Sequence, residues 1–512
     1  MSAAALAEAT RDYAARFTAK GASPDAYRIL GKTGLTVSAL GFGAYRVDDE
    51  TPEHRQALEK ALLEGCNLID TSTNYTDGAS ERCIGGVLEE MTRSGRMARG
   101  EIVVVSKIGY VQGRNMDLAL RREEGGGPFP EMVKVSEGCW HCVHPEFLED
   151  QLDRSLSRLR LERLDACLLH NPEYFLGHGG GGRSPSDREA AWEEFYRRIR
   201  VAFVHLEREV RRGRIGWYGV SSNSFGAPPE DPESTSVGRM LEAAREAARE
   251  AGSESGEDHF AVAQLPMNLF EHGPATLGKE GAAGDRSAVA FAAGNGLGVL
   301  VNRPLNAFAQ GELIRLADFR TDPPRRPVEE GLSRVSALEE EFVREIGRGL
   351  KAERGSAPVE TFFAWGSRLS GAVGKLGGVE HWQAIEDQQI RPQLLQIISA
   401  LQSGLPPGLA STFQEWLRRY LPEMQSLCAA FHADCAARSQ ERSDRIASTL
   451  DPALPPDMRS ESLSRKALHA VASVPGVTCV LNGMRHPHYA EDSLGILRWD
   501  RLPRAMDLLG RL

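Results

Sequence analysis

The sequence predicts an α/β chain built on a (β/α)8 barrel. Three observations carry that prediction. Short apolar runs alternate with amphipathic stretches of helical period, giving eight strand–helix units if the helix after the seventh strand is the one at 462–474. The runs are apolar throughout, as strands of a parallel sheet covered by helices are. The segment after the first strand, "GFGAYR", is not GxGxxG, so an open doubly wound sheet, the alternative, lacks its fingerprint.

The elements follow in order. Residues 1–26 form an N-terminal arm, read as a short helix or a disordered segment. "YRILGKTGLTVSALGFGAYRV" reads as a hairpin turning at Gly31–Gly34, a plug for the barrel bottom, and then the first strand. Thr51 followed by Pro52 marks a helix cap. "NLIDT", "EIVVVSKIG" and "LDACLLH" are the second to fourth strands, with helices "SERCIGGVLEEM" and "HPEFLEDQLDRSLSRL" between them. A long helix at 186–212 precedes "IGWYGVSSN"; "FAVAQLPMN", "GLGVLVNRPL" and "TCVLNGM" complete the eight strands.

Two segments break the rhythm. Residues 109–143 are Gly-rich and read as a loop over the barrel mouth, with Trp140 as a substrate wall. Residues 307–460 show helical stretches at 336–355, 392–405 and 411–448 and no strand pattern. They read as an α-helical insertion after the seventh strand, dividing the barrel into 27–306 and 461–512. Leu394, Leu395, Ile397, Ile398 and Leu401 would supply its core. It leaves the chain on the catalytic face, so a lid is expected; an outward module for self-association is the alternative.

Composition narrows the function classes. A net charge of -10 and a pI of about 5.8 disfavour nucleic-acid or anionic-membrane binding, though one phosphate could meet a local basic pocket. No stretch approaches the roughly 18–20 apolar residues of a membrane span. Glu8, Asp12 and Asp25 argue against a transit peptide. Cys66, Cys83, Cys167 and Cys479 sit in apolar patterns, so a reducing, cytoplasmic setting is expected. "GCWHCVHPEF" holds a single local CxxC with two histidines, weak evidence for a structural zinc site, and no metal is expected. "GHGGGGRSPSD" reads as a flexible loop without the P-loop Lys-Ser/Thr.

The strand ends hold the chemistry, because they share one mouth. Asp70 ends the second strand and Tyr75 follows; Lys107 ends the third and His170 the fourth. Ser222–Asn223, Gln264 with Asn268, Asn302–Arg303 and Asn482–Arg485 end the others. A phenol, an ammonium, a carboxylate and an imidazole from three neighbouring strands suit proton transfer at a carbonyl. Lys107 would lower the phenol pKa, Asp70 would anchor Lys107, and His170 would polarise the carbonyl. None of them donates hydride, so a nicotinamide cofactor is implied.

At these positions the sequence resembles the aldo-keto reductases, through "GCNLIDTSTNYTDGASERCIGGVL", "VVVSKIG", "LDACLLHNPE", "GWYGVSSNS", "VAQLPMNLFE" and "VPGVTCVLNGMRHPHYAEDSL". The resemblance implies an NAD(P)-dependent oxidoreductase acting on CH–OH/C=O groups of a small aldehyde, ketone or sugar. Tyr75, Lys107, Asp70 and His170 would be catalytic. Ser222, Asn223 and Gln264 would hold the nicotinamide carboxamide. Asn302 and Arg303 border that site; Gly483, Met484, Arg485, Tyr489 and Asp492 would form the adenosine side. Family members commonly carry an aromatic residue where Asn302 stands. Tyr489 and Asp492–Ser493 also depart from the usual pattern, and Arg485 remains as a partner for a 2′-phosphate, favouring NADP with NAD possible. The competing reading is a cofactor-binding regulatory or scaffolding protein on the same barrel.

Overall fold

The structure, a computed structural model, describes residues 4–179, 185–253, 256–309, 311–319, 323–350 and 358–512. It divides into two compact units: Met1–Ala309 with Ile314–Leu316 and Leu450–Leu512, and Gln310–Leu313 with Ala317–Thr449.

The first unit holds a closed barrel of eight parallel strands. They are β1 Leu40–Gly43, β2 Leu68–Asp70, β3 Val103–Ile108, β4 Leu164–His170, β5 Ile215–Ser221, β6 Phe260–Pro266, β7 Gly298–Asn302 and β8 Cys479–Gly483. Each pairs with its successor, and β8 returns to β1 through Asn482↔Phe42. All six residues of β3 and all seven of β4 are buried, which is why their sequences read as unbroken apolar runs.

The hairpin of Tyr27–Ile29 with Thr36–Ser38 closes one end. Its Leu30, Leu35 and Val37 join Leu68, Val105, Leu168 and Leu300 in one interior cluster. Gly31 has no alternative there: its φ is +51°, and a Cβ would lie 2.4 Å from the Gly298 amide nitrogen. The arm is ordered as the helix Ala7–Thr18, pinned where the buried Tyr13 hydroxyl donates to the Leu62 and Cys66 carbonyls. Thr51 sits at the expected helix start but its side chain caps nothing; the Asp48 carboxylate takes the Glu50 and Thr51 amides instead.

The Gly-rich segment after β3 is not a plain loop. It forms a three-stranded antiparallel sheet from Tyr110–Val111, Val133–Ser136 and Cys139–His141, with a helix at Arg114–Glu124. Trp140 pairs with Val111 and Lys134 in that sheet, and the Lys134 ammonium lies 4.2 Å from its ring centroid. It is therefore a covered ring rather than the open substrate wall expected. The following Gly-rich stretch lies at 180–184 outside the described residues, and the long helix runs Pro185–Arg211.

The second unit is helical, with Val328–Glu345, Trp365–Ser370, Val379–Ile385 and Arg391–Gly404 preceding the long helix Pro407–Leu450. Part of the helical stretch expected at 336–355 ends at Glu345, and 351–355 lie outside the described residues. Trp416 stacks between Phe413 at 5.8 Å and Tyr420 at 4.6 Å, and Trp382 stacks on Phe431 at 4.8 Å. Leu394 and Leu401 enter this core, but Leu395 is 64% exposed, because the helix turns it outward. A short hairpin, Asn306–Ala309 with Glu312–Arg315, stands where no strand was expected; four-residue strands leave little periodicity to read.

Candidate active site

The ends of β2, β3 and β4 bring Asp70, Lys107 and His170 together. Lys107 is fully buried. Its ammonium donates to both Asp70 oxygens at 2.7 Å and to the Thr71 carbonyl at 2.8 Å. Those three bonds use every N–H it has. Burial pulls its pKa down, and the Asp70 carboxylate works against that.

Tyr75 follows β2 on a loop bent by left-handed Thr76 and Asp77, at φ 46° and 54°. The Thr76 hydroxyl fixes the bend by donating to the Val47 carbonyl. The Tyr75 ring is edge-on to His170 at 5.9 Å and to Tyr45 at 5.2 Å, with the Lys107 ammonium 4.9 Å from its centroid. The approach is thus to the ring face, and no described residue hydrogen-bonds the phenol oxygen. Burial and the nearby Asp70 charge raise the phenol pKa. This corrects the expected tuning: with its protons on Asp70 and Thr71, Lys107 has none left for the phenolate.

His170 is held by a 2.9 Å contact between its Nδ1 and the Ser72 hydroxyl. Burial and the Lys107 charge lower its pKa, keeping the imidazole neutral. His141 Nε2 lies 2.7 Å from the His170 carbonyl, so that nitrogen must carry a proton. Tyr110 stands edge-on at 4.6 Å from His170. The sequence reading missed Ser72, Tyr110 and His141. Ser72 carried a signal, a hydroxyl two residues past a strand-end carboxylate; His141 was hidden inside the cysteine motif.

The remaining candidates fall into two groups. Gln264 reaches across to Asp70, its Nε2 donating to Oδ1 at 2.7 Å, and Asn302 donates to Gln264 Oε1 at 3.2 Å. The Ser222 hydroxyl is engaged with Ser224 and Thr235, while Asn223 exposes its side chain. Behind it, Glu173 accepts the Asn223 amide at 2.7 Å, and burial pushes its carboxyl up to about 7. Arg303 has φ 53° and lies 3.7 Å from Glu271.

The second group follows β8. Gly483 is open, with nothing within 4 Å of a would-be Cβ, whereas Met484 is fully buried. Arg485 makes no ion pair or hydrogen bond among the described residues. Tyr489 is 40% exposed beside the His486 and His488 rings. Asp492 is spoken for, accepting from Ser462, Ser464 and Arg465.

Comparison with known proteins adds to this geometry. Residues 39–276 match the aldo/keto reductase family model. A curated relative, the uncharacterized oxidoreductase YqkF of Bacillus subtilis (strain 168), is 24% identical over 195 residues, 38% of this chain and 48% of the relative. The chain thus spans about half the length of that relative. Among solved structures, aldo-keto reductase AKR11C1 from Bacillus halodurans (holo form) matches at 15% identity and TM-score 0.44, covering 95% of this chain and 97% of that one. Glycerol dehydrogenase AKR11B4 from Gluconobacter oxydans matches at 17% and 0.45, covering 96% of each. The match to the aldo/keto reductase family model thus spans residues 39–276 of this chain.

Proposed function

We propose that the protein is an NAD(P)-linked oxidoreductase interconverting a carbonyl and an alcohol, with Tyr75 moving the proton. The observation that carries this is the convergence of Tyr75, Lys107, Asp70 and His170 at three adjacent strand ends. A nicotinamide, when bound, supplies the hydride. Tyr75 gives a proton to the carbonyl oxygen, and its raised pKa keeps the phenol in the acid form that reduction needs. His170 stays neutral, and in the tautomer that carries its proton on Nε2 the ring can hydrogen-bond the carbonyl.

Two features fit a nicotinamide dinucleotide. The Asn302 Oδ1 atom, at the end of β7, is buried without a partner among the described residues. Arg485 offers an uncompensated cation after β8, suited to a 2′-phosphate, so NADP is preferred to NAD. Eight free thiols suit the reducing compartment expected of the chain.

One observation favours the second reading, a cofactor-binding regulator with weak turnover: Lys107 has no hydrogen-bond donor left for Tyr75. The test is a fluorescence titration with NADPH and NADH, then turnover on a panel of aldehydes, ketones and sugars with Tyr75→Phe alongside. The proposal expects kcat to fall roughly 10²- to 10⁴-fold in the variant while cofactor affinity holds. A loss under tenfold removes Tyr75 from the chemistry, and binding without turnover on any substrate favours the regulator.

A further inference from the structure

The hydrogen bonds across the mouth run in one direction, and that direction can be derived. Lys107 fixes the start, since an ammonium only donates and its three bonds go to the two Asp70 oxygens and Thr71. A carboxylate paired with that ammonium only accepts. The Gln264 amide must therefore turn Nε2 toward Asp70, as it does at 2.7 Å. Gln264 Oε1 then faces the other way, where Ser221 Oγ donates at 3.0 Å and Asn302 Nδ2 at 3.2 Å. The Asn302 amide is now oriented in turn, with nitrogen toward Gln264 and oxygen away from it. Amide oxygen and nitrogen are assigned from such networks, and here the sequence of donors leaves no second solution.

The relay ends on an unpaired atom. Asn302 Oδ1 is buried and has no hydrogen-bond partner among the described residues. Gln264 has both lone pairs of Oε1 occupied, so it offers no acceptor to anything entering the mouth. Asn302 ends β7, so its enclosed oxygen lies next to the strand end where a ligand group would sit. Left alone, a buried unpaired acceptor is destabilising; a ligand N–H would remove that cost.

We infer that Asn302 Oδ1 accepts the carboxamide N–H of the bound nicotinamide, in place of the Gln264 oxygen that the Asp70 relay occupies. Asn302 is a positioning residue: it holds the ring by its substituent and makes binding depend on a donor at that substituent. The inference rests on the nicotinamide reading above.

The test pairs a variant with a cofactor change. In the 3-acetylpyridine analogue of NADPH a methyl ketone replaces the carboxamide, so the donor is gone while the carbonyl remains. Isothermal titration calorimetry would give Kd for both dinucleotides with the full-length protein and with Asn302→Leu. The expected result is an about 3- to 10-fold weaker Kd for NADPH in the variant, the range of one neutral hydrogen bond, with the analogue changed less than about twofold. Equal losses for both dinucleotides, or none for NADPH, overturn the assignment and leave the nicotinamide reading standing. If the wild-type protein binds neither dinucleotide, the nicotinamide reading fails and takes this assignment with it. Should Asn302→Leu not fold, Asn302→Ala makes the same comparison.

Discussion

Two buried carboxylates, one in each unit, are used in opposite ways. In the helical unit Glu339 accepts the Trp365 and Gly366 amides and the Tyr420 hydroxyl at 3.0 Å. All of its partners are donors built into the same core, and the network closes there. Asp70 in the barrel is also buried and also bonded, but its network runs through Gln264 and Asn302 to an atom with no partner among the described residues. A closed network holds a fold; an open one presents a group for something else to complete. The same contrast separates Arg465, tied to Glu461 and Asp492, from Arg485 one element later, tied to nothing described.

The comparison can be broken at its strongest point first. Lys107→Met leaves Asp70 buried without a cation, and unpairing one partner of a buried ion pair costs about 3–5 kcal/mol. We expect that loss in the barrel's urea transition, together with loss of turnover. A change below about 1 kcal/mol would show that the relay does not depend on its ammonium. Arg485→Ala removes an open-ended cation instead. Stability should hold, while NADPH affinity falls by about 1.5–3 kcal/mol, the worth of a charge-assisted bond, and NADH affinity stays. Equal losses for the two would show that Arg485 does not read the 2′-phosphate. Glu339→Ala is the counterpart in the closed network. It should cost the helical unit about 1–3 kcal/mol for the donors left unpaired, read by thermal melting, with NADPH affinity unmoved. Weaker cofactor binding in that variant would end the distinction drawn between the two networks.

The barrel was legible because its strands are buried on both faces, so β3 and β4 announce themselves as apolar runs. The positions of Asp70, Lys107 and His170 at strand ends followed from that alone. What could not be read is where their hydrogens go. Whether Lys107 meets the phenol or the Thr71 carbonyl depends on ångström-scale placement that residue type does not encode. The sheet at Tyr110–His141 was hidden by the glycines within it, and the hairpin at Asn306–Arg315 by its brevity. In the helical unit Phe413, Trp416 and Tyr420 sit at helical spacing and do share a face, but Leu395 shows that apolar identity does not choose the buried side. Asn302 was conspicuous as a departure from the family's aromatic residue; only the direction of the amide relay gives that departure a chemical sense.

One consequence concerns how the chain is made. Strand β7 ends at Asn302 and its neighbour β8 starts at Cys479, so the barrel's last seam stays open while the intervening residues are synthesised. At the usual rate of translation that is roughly 10–35 s. Throughout it β1 and β7 each carry an edge of unpaired amides and carbonyls, the kind of edge that invites pairing with another chain. The helical unit, whose contacts are nearer in sequence, can form its core during that interval. The most exposed moment in the life of this protein is thus a pause before barrel closure on the ribosome, and its length is set by the number of residues placed between two strands that must meet.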